Sequence, residues 1–259
     1  MGKIIAVANQ KGGVGKTTTS INLSAGLAYF GKKVLLVDFD PQGNSTQGIG
    51  ANKVGFNKTI YDVLMENTPI KDAKVTLKMP PLDVLPANIS LAGADVTMSE
   101  YKVGREALLR DKLLPIKHEY DFIIIDCPPS LGLLNTNALT AADSVIIPVQ
   151  CEYFALEGLT QLLSTIRIVQ RMFNKSLIIE GILLTMFDAR TKLSVEVQQE
   201  VRKYFRERVY KSYIPRNVKL SEAPGNEQSI FEYDTRSEGA KAYASLVKEV
   251  MTQNAKEFR

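Results

Sequence analysis

Reactive side chains are scarce in this chain of 259 residues, which contains two cysteines and one histidine. Two cysteines fall short of a disulfide framework and are typical of a protein from a reducing compartment. The histidine, His118, stands in a polar stretch just before an apolar run, so we expect a loop residue rather than a catalyst. The chain also lacks a Ser-His-Asp pattern and any metal-ligand spacing. These absences exclude most of the common hydrolytic and metal-centred chemistries.

Long hydrophobic runs are absent as well. No stretch approaches the roughly 18 apolar residues of a membrane span, and the first apolar run, residues 4–8, is too short for the core of a signal peptide. No low-complexity tract, repeat or Pro- or Ser-rich linker divides the chain. We therefore expect a cytoplasmic protein that folds as one domain over residues 1–259.

What the chain does contain is an alternation of short apolar runs and longer amphipathic stretches. The runs are continuous and rich in β-branched residues, as in strands buried on both faces; they cover residues 3–8, 33–38, 82–85, 122–126, 144–149 and 177–185. Helices are predicted at 17–29, 59–66, 91–114, 133–142, 156–172 and 195–208, with one more near the C-terminus. The alternation predicts an α/β fold with a mostly parallel twisted sheet and helices on both faces.

The first predicted strand is followed by NQKGGVGKTT, residues 9–18, which nearly matches the phosphate-binding pattern G-x-x-x-x-G-K-[ST]. The pattern's first glycine is replaced by Gln10, and Lys11 follows at once. In such a loop, backbone N–H groups and a helix N-terminus face an anion, Lys16 adds a positive charge and the Thr17 hydroxyl can ligate Mg²⁺. The loop therefore predicts a nucleotide site with Mg²⁺, formed by Gly12, Gly13, Val14, Gly15, Lys16, Thr17 and Thr18.

Two other predicted strands end in carboxylates. VLLVDFD ends in Asp38 and Asp40, and IIID ends in Asp126. Because ligands in open parallel sheets bind beyond the carboxyl ends of the strands, these side chains are expected near the glycine loop. Asp126 fits a Walker B residue that holds Mg²⁺, and Asp40 would then orient the attacking water. An aspartate at a strand end is often only a turn former, and for each residue alone that alternative stays open.

Positive charge is concentrated in the last third of the chain. Between residues 190 and 219, nine basic residues stand against three acidic ones, whereas the remainder has a slight negative balance. Such a cluster is either the solvated face of ordinary helices or a footprint for the DNA backbone without base readout. No aromatic stacking platform accompanies it, which favours double-stranded DNA. The candidate DNA-binding residues are Arg190, Lys192, Arg202, Lys203, Arg206 and Lys219.

Six motifs together resemble the ParA/Soj family of chromosome and plasmid partition ATPases, within the deviant Walker A class: KGGVGKTT, VLLVDFDPQGN, IIIDCPPSLG, VIIPVQCEYFALEG, LLTMFDAR and IPRNVKLSEAPG. The resemblance covers nearly the whole chain. It implies that Lys11 reaches across a nucleotide-sandwich dimer to the phosphates bound by the other subunit, and that Asp40 is the catalytic aspartate. It also implies that Thr18 touches the α-phosphate and that Pro215 and Asn217 contact adenine.

The same resemblance implies a weak, partner-stimulated ATPase that uses ATP and Mg²⁺. In that family an ATP-bound homodimer binds double-stranded DNA non-specifically on the nucleoid, and a ParB-type centromere-binding protein triggers hydrolysis; some chromosomal relatives also influence the replication initiator. Lys219 stands where relatives commonly have Arg, which keeps the charge but loses the bidentate geometry. The first strand begins near residue 3, so we expect no N-terminal helix-turn-helix domain and no operator binding.

Two rival classes share this loop. A membrane-cycling ATPase of the MinD type needs an amphipathic, basic C-terminal anchor, whereas residues 252–259 contain few apolar side chains and we expect no membrane partner. An iron–sulfur reductase of the nitrogenase iron-protein type would need Cys127 and Cys151 as cluster ligands. Both cysteines lie inside partition-like motifs, so we expect buried thiols without special chemistry.

Overall fold

The computed structural model of the chain describes residues 2–78, 80–130, 132–152 and 155–255, except for the side chains of residues 155 and 157. Its described strands form one eight-stranded sheet in the order β3-β4-β2-β5-β1-β6-β7-β8. The strands are β1 Lys3–Val7, β2 Val34–Asp38, β3 Val75–Lys78, β4 Pro81–Leu85, β5 Phe122–Asp126, β6 Ser144–Gln150, β7 Ile178–Phe187 and β8 Val209–Pro215.

All neighbouring strands run parallel except β3 and β4, which form an antiparallel hairpin at one edge. The central strands β1, β2 and β5 are buried along their whole length. Their continuous apolar sequences are what burial on both faces requires. The register aligns Asp38 at the end of β2 with Asp126 at the end of β5. The fold class expected from the sequence is confirmed.

Thirteen α-helices lie within the described residues, many of them short. They are α1 Lys16–Tyr29, α2 Asn44–Gly48, α3 Ala51–Val54, α4 Ile60–Met65, α5 Ile70–Ala73, α6 Leu91–Ser99, α7 Leu108–Leu113, α8 Leu133–Ala141, α9 Ala155–Met172, α10 Lys192–Phe205, α11 Val218–Glu222, α12 Ile230–Tyr233 and α13 Glu238–Asn254. Turns of 3₁₀ helix cover residues 114–119, 206–208 and 223–226.

The helices cover both faces of the sheet and enclose two hydrophobic cores. On one face α4 and α6 to α10 contribute buried side chains such as Leu139, Ile166 and Val201. On the other face α1 packs on α13 through Leu23, Val247 and their neighbours. Gly26 allows this close approach, since a Cβ at that position would lie 2.6 Å from a methyl group of Val247. The packing fixes α1, and with it the phosphate loop, on the sheet.

The prediction of one helix over 91–114 was wrong. Helix α6 ends at Ser99, the chain turns through Gly104 at φ 81°, and α7 begins at Leu108. The left-handed Gly104 within this connection prevents one helix from running through it, because a helix requires negative φ at every residue. Strands β3 and β8 were also missed. Both are edge strands, and the exposed Lys211 and Tyr213 interrupt the apolar run in β8.

Candidate nucleotide site

The loop after β1 has the backbone shape that its glycines permit. Gly13 and Gly15 have φ of 75° and 88°, in the left-handed region where a side chain would be strained. Gly15 caps α1, and Thr185 at the end of β7 donates a hydrogen bond of 2.8 Å from its hydroxyl to the Val14 carbonyl. The loop is thus fixed at the carboxyl edge of the sheet, with a helix N-terminus beginning directly behind it.

Lys16 is held inside this loop. Its side chain is nearly buried, at 7% exposure, and its ammonium group donates a hydrogen bond of 3.1 Å to the Lys11 carbonyl. Burial lowers the pKa of Lys16, while the nearby carboxylates of Asp126 and Asp40 oppose that shift. A poorly solvated cation in this place gains more from an anionic ligand than a surface lysine does. Its position matches the role that the sequence pattern predicts.

The carboxylates that end β2 and β5 are buried beside this lysine, with Asp38 and Asp126 fully buried and Asp40 exposed by 6%. Asp126 accepts hydrogen bonds from the hydroxyls of Ser20, at 2.9 Å, and Ser45, at 2.5 Å. Burial raises the pKa of Asp126 to about 6, although these hydroxyls lower it again. Two hydroxyls therefore fix the orientation of this carboxylate.

Asp38 has a positioning role in the same cluster. It accepts two hydrogen bonds of 2.7 Å from the backbone N–H and hydroxyl of Thr46, and one of 3.2 Å from the Asp40 N–H. Burial, followed by the charge of Asp126, raises the pKa of Asp38 to about 7. The bonds from Thr46 and Asp40 fix the turn that carries the second aspartate. Asp40 in turn accepts a bond of 2.9 Å from the Gln42 N–H, and its other oxygen has no such bond to a described residue.

The oxygen atoms of this cluster suit a hard divalent cation. Magnesium takes carboxylate, hydroxyl, water and phosphate oxygens in an octahedral arrangement. Thr17 stands at the start of α1, and its hydroxyl also lowers the pKa of Asp126, which places the two groups together. Asp126 is buried with no cationic side chain bonded to it among the described residues. Thr17 and Asp126 are the groups that could hold Mg²⁺ beside the loop.

A cavity of about 530 Å³ opens next to Gly15 and extends to the loop after β8. Thr18, Pro215 and Asn217 line it, so the structure brings these three candidates together with the phosphate loop. The amide oxygen of Asn217 is buried and has no hydrogen-bond partner among the described residues. Met186, which also lines the cavity, has φ 50°, a strained value for a residue other than glycine. Volume, apolar walls and an unpaired acceptor fit a nucleoside.

Lys11 is placed differently from Lys16. Its backbone N–H donates a hydrogen bond of 3.0 Å to the Asn9 side chain, whereas its own side chain is 35% exposed and forms an ion pair with Glu152. Glu152 follows β6, the neighbour of β1, so the end of that strand supplies the partner. This glutamate was not among the predicted site residues. An acid directly after a strand that neighbours β1 is the signal that could have found it.

The structure divides the six basic candidates into two groups. Arg190, Lys192 and Lys219 lie after the carboxyl ends of β7 and β8, on the same edge as the phosphate loop. Arg202 and Lys203 are in the last turn of α10, and Arg206 follows just before β8 begins, so this group lies at the opposite edge. The charge run in the sequence is therefore not one surface patch.

Four of these side chains are paired with acids close to them in sequence. Arg190 forms two hydrogen bonds of 2.9 and 2.8 Å with Asp188 and lowers the pKa of that carboxyl to about 2. The other pairs are Lys192 with Glu196, Lys203 with Glu200 and Lys219 with Glu222. These pairs are largely exposed, so each contributes little to stability and leaves its cation able to change partners.

Both cysteines are buried and free. Burial raises the pKa of the Cys127 thiol and raises that of Cys151 to about 11. A thiol with a raised pKa is a poor nucleophile and a poor metal ligand at neutral pH. Cluster ligands that bridge two subunits would have to lie at the surface, and neither thiol does.

His118 lies in the 3₁₀ turn of residues 114–119, away from the strand ends that form the site.

Three features define a nucleotide-binding protein of the P-loop class. They are a mostly parallel sheet with a glycine loop after its central strand, a buried lysine and an aspartate cluster. A family model described as an AAA domain matches residues 2–179. The sporulation initiation inhibitor protein Soj of Bacillus subtilis is 58% identical, covering 96% of this chain and 98% of its own. The chromosome partitioning protein ParA of Myxococcus xanthus is 50% identical, over 98% and 89%. The chain belongs to the ParA/Soj family of chromosome-partitioning ATPases.

Solved structures with bound nucleotide agree with this assignment. The cobyrinic acid a,c-diamide synthase of Mycobacterium smegmatis with bound ADP and magnesium is 38% identical with a TM-score of 0.86, covering 100% of this chain and 97% of that one. A putative plasmid partition protein of Borrelia burgdorferi bound to AMPPNP is 28% identical with a TM-score of 0.82, over 98% and 100%. No helix within the described part is long and apolar enough to cross a membrane.

Proposed function

We propose that this ATPase is a dimerisation switch: ATP closes a homodimer, the dimer binds double-stranded DNA without sequence preference, and hydrolysis releases it. One observation carries the proposal, namely the partly exposed Lys11 side chain beside a phosphate loop that already contains the buried Lys16. A second lysine is not needed to bind phosphate within one chain. We assign it to a nucleotide bound by another copy.

The ion pair with Glu152 makes this use of Lys11 conditional. In the single chain the ammonium group is satisfied by one carboxylate, and the pair is about one-third exposed on both sides. The phosphates of ATP carry more negative charge and more acceptor oxygens than a glutamate, so they compete well for the lysine when a second copy presents them. Loss of the γ-phosphate weakens that competition. Nucleotide state and dimer stability are then linked.

The remaining site residues take roles within one chain. Backbone groups of Gly12, Gly13, Val14 and Gly15 surround the phosphates, Lys16 adds charge, and Thr17 with Asp126 holds Mg²⁺. Bound Mg²⁺ neutralises charge that develops on the phosphates. Asp40 has a carboxylate oxygen free to orient the attacking water. Thr18, Pro215 and Asn217 line the cavity for the nucleoside and α-phosphate.

DNA binding follows from the group of basic residues at the nucleotide edge. Arg190, Lys192 and Lys219 lie on the edge where a second copy would join, so a dimer places two such groups side by side. Two patches neutralise more phosphates than one, which makes the affinity depend on ATP. The second group, Arg202, Lys203 and Arg206, lies at the far edge and adds charge without being aligned by the dimer.

We assign the switch to chromosome or plasmid partition, on the nucleoid in the cytoplasm. We also propose that residues 1–259 form a single domain. The relative named above as a chromosome partitioning protein and the solved neighbour named as a putative plasmid partition protein support the assignment to partition. The trigger for hydrolysis would be a ParB-type centromere-binding protein, and the replication initiator is a further proposed partner. Phosphate release tests the assignment. We expect slow turnover by the chain alone, and faster turnover with its own organism's ParB-type protein plus double-stranded DNA. An equal rate with and without these partners would contradict a switch.

A further inference from the structure

A groove of about 440 Å³ lies at the edge of the sheet opposite the phosphate loop. Its walls are α9 and the end of α10, and its floor is the start of β7. Most of the residues that line it are apolar, and two are arginines. The lining residues are Leu163, Ile166, Ile178, Ile179, Phe205, Arg167, Arg208 and Gln170. None of these residues contributes to the nucleotide site.

The apolar part of this groove is left open to solvent. Ile178 begins β7 and is 49% exposed, whereas the middle of that strand is fully buried. Leu163 and Phe205 are half-buried on either side of it. Gln170 donates a hydrogen bond of 2.8 Å to the Leu177 carbonyl, which holds α9 to the beginning of the strand. The groove is therefore a preformed concave surface with an apolar floor.

Two of the residues that line the groove, Arg167 and Arg208, are arginines without acidic partners among the described residues, and two further arginines lie near them in sequence. Arg167 and Arg171 are one helical turn apart on α9, and Arg206 and Arg208 follow α10. All four are exposed, and none forms an ion pair or side-chain hydrogen bond with a described residue. This differs from Arg190, Lys192, Lys203 and Lys219, each of which is paired with an acid of its own chain. The single acid of the 3₁₀ turn, Glu207, is unpaired as well.

We propose that this groove binds an acidic segment of a partner protein, with apolar side chains that enter the groove and carboxylates that pair with Arg167 and Arg208. Apolar anchors in a pocket surrounded by paired charges are the arrangement that gives strong binding at protein interfaces. Arginine pairs with carboxylates through two parallel hydrogen bonds, which adds specificity. A DNA backbone would use the arginines but would gain nothing from the apolar floor.

The position of the groove sets the expected relation to the nucleotide. The ten residues of β7 separate Ile178 from the edge that carries the phosphate loop, a distance of about 30 Å. A bound segment therefore would not touch ATP or the edge where a second copy joins. We expect its affinity to be the same with and without ATP, which separates this proposal from the switch described above, since failure of either leaves the other intact.

A displayed library of random peptides of about 15 residues, long enough for about four helical turns, tests the proposal. The full chain is the bait, and Arg167→Ala/Arg208→Ala is used for counter-selection. Enriched peptides are then measured by fluorescence anisotropy on both proteins and on Arg236→Ala, a matched control because Arg236 is also exposed and its side chain is unpaired with any described residue. Circular dichroism and phosphate release check that each variant is folded.

We expect selected peptides to combine Asp or Glu with Leu, Ile or Phe. Their affinity should fall by about tenfold in the double variant and stay unchanged in the control. Replacing the acids of such a peptide by lysine should abolish binding. The proposal is overturned by a selection without acidic and apolar enrichment, by equal binding to the folded double variant, or by loss of double-stranded DNA binding instead of peptide binding in that variant.

Discussion

The phosphate loop and helix α10 both carry positive charge but are built differently. Around the loop, buried polar groups are fixed by partners distant in sequence, as when Ser20 and Ser45 bind Asp126. Along α10, most charged groups are paired with neighbours three or four residues away and are largely exposed. The first arrangement gives a rigid site that is ready for its ligand. The second gives charges that can be exchanged for those of a partner at little cost.

The largest effect is expected at the buried lysine. Lys16→Ala removes a desolvated cation that no other side chain can replace, so ATP affinity should fall by about 100-fold or more. Isothermal titration with a non-hydrolysable ATP analogue measures this. Lys241→Ala is a matched control, because Lys241 is an exposed lysine in an ion pair on α13. Undiminished affinity in the Lys16 variant would show that the loop does not bind phosphate as described.

Asp40→Ala should separate binding from turnover. We expect the variant to bind ATP and to dimerise, while phosphate release falls by about 100-fold, because the carboxylate that orients the water is gone. Asp188→Ala serves as the control, since Asp188 pairs with Arg190 and lies outside the carboxylate cluster. Normal phosphate release by the Asp40 variant would assign the water to another group.

Lys11→Ala should leave ATP affinity nearly unchanged and weaken the ATP-dependent dimer by about tenfold or more. Light scattering with and without ATP gives the oligomeric state. Glu152→Gln sharpens the test: it frees the lysine, so the dimer should form at a lower ATP concentration. A stable ATP-dependent dimer of the Lys11 variant would rule out the cross-subunit role.

The smallest effect is expected for single basic residues. Arg190→Ala or Lys219→Ala should each weaken ATP-dependent DNA binding a few-fold and reduce the salt slope by about 1. Arg206→Ala, at the opposite edge, should have a smaller effect. Electrophoretic mobility shifts over a range of salt concentrations measure both quantities. A larger loss of DNA affinity for Arg206→Ala than for Arg190→Ala or Lys219→Ala would place the DNA on the far edge.

The same contrast explains what could be predicted from the sequence. The loop residues were found because they are contiguous and their pattern carries its own chemistry. Asp38, Asp40 and Asp126 were found because they follow continuous apolar strands that share one edge. Their partners Ser20 and Ser45 were not found, because hydrogen bonds across 106 and 81 residues leave no local pattern. The helix predicted at 91–114 failed for a related reason, since only the backbone shows that α6 ends at Ser99 and that the chain turns at Gly104 before α7.

The basic segment was found by its charge, but its division between two edges was not. A count of charges along the chain does not show that α10 carries its ends to opposite edges of the sheet, which follows from parallel pairing of β7 and β8. The pairing of Lys11 with Glu152 depends in the same way on β6 lying next to β1. Assembly of the site from strands distant in sequence is the part that required the structure.

The most direct test of the switch is DNA binding by the purified chain without nucleotide, with ADP, with ATP, and with ATP in the Asp40→Ala variant. Each condition is measured at about 50 mM and about 200 mM salt on double-stranded DNA of unrelated sequences. A DNA switch of this kind should bind with ATP but not with ADP or without nucleotide, and binding should persist in the variant. The affinity should be equal among sequences and fall steeply at the higher salt. Tight binding without nucleotide, or binding that salt does not weaken, would contradict the switch.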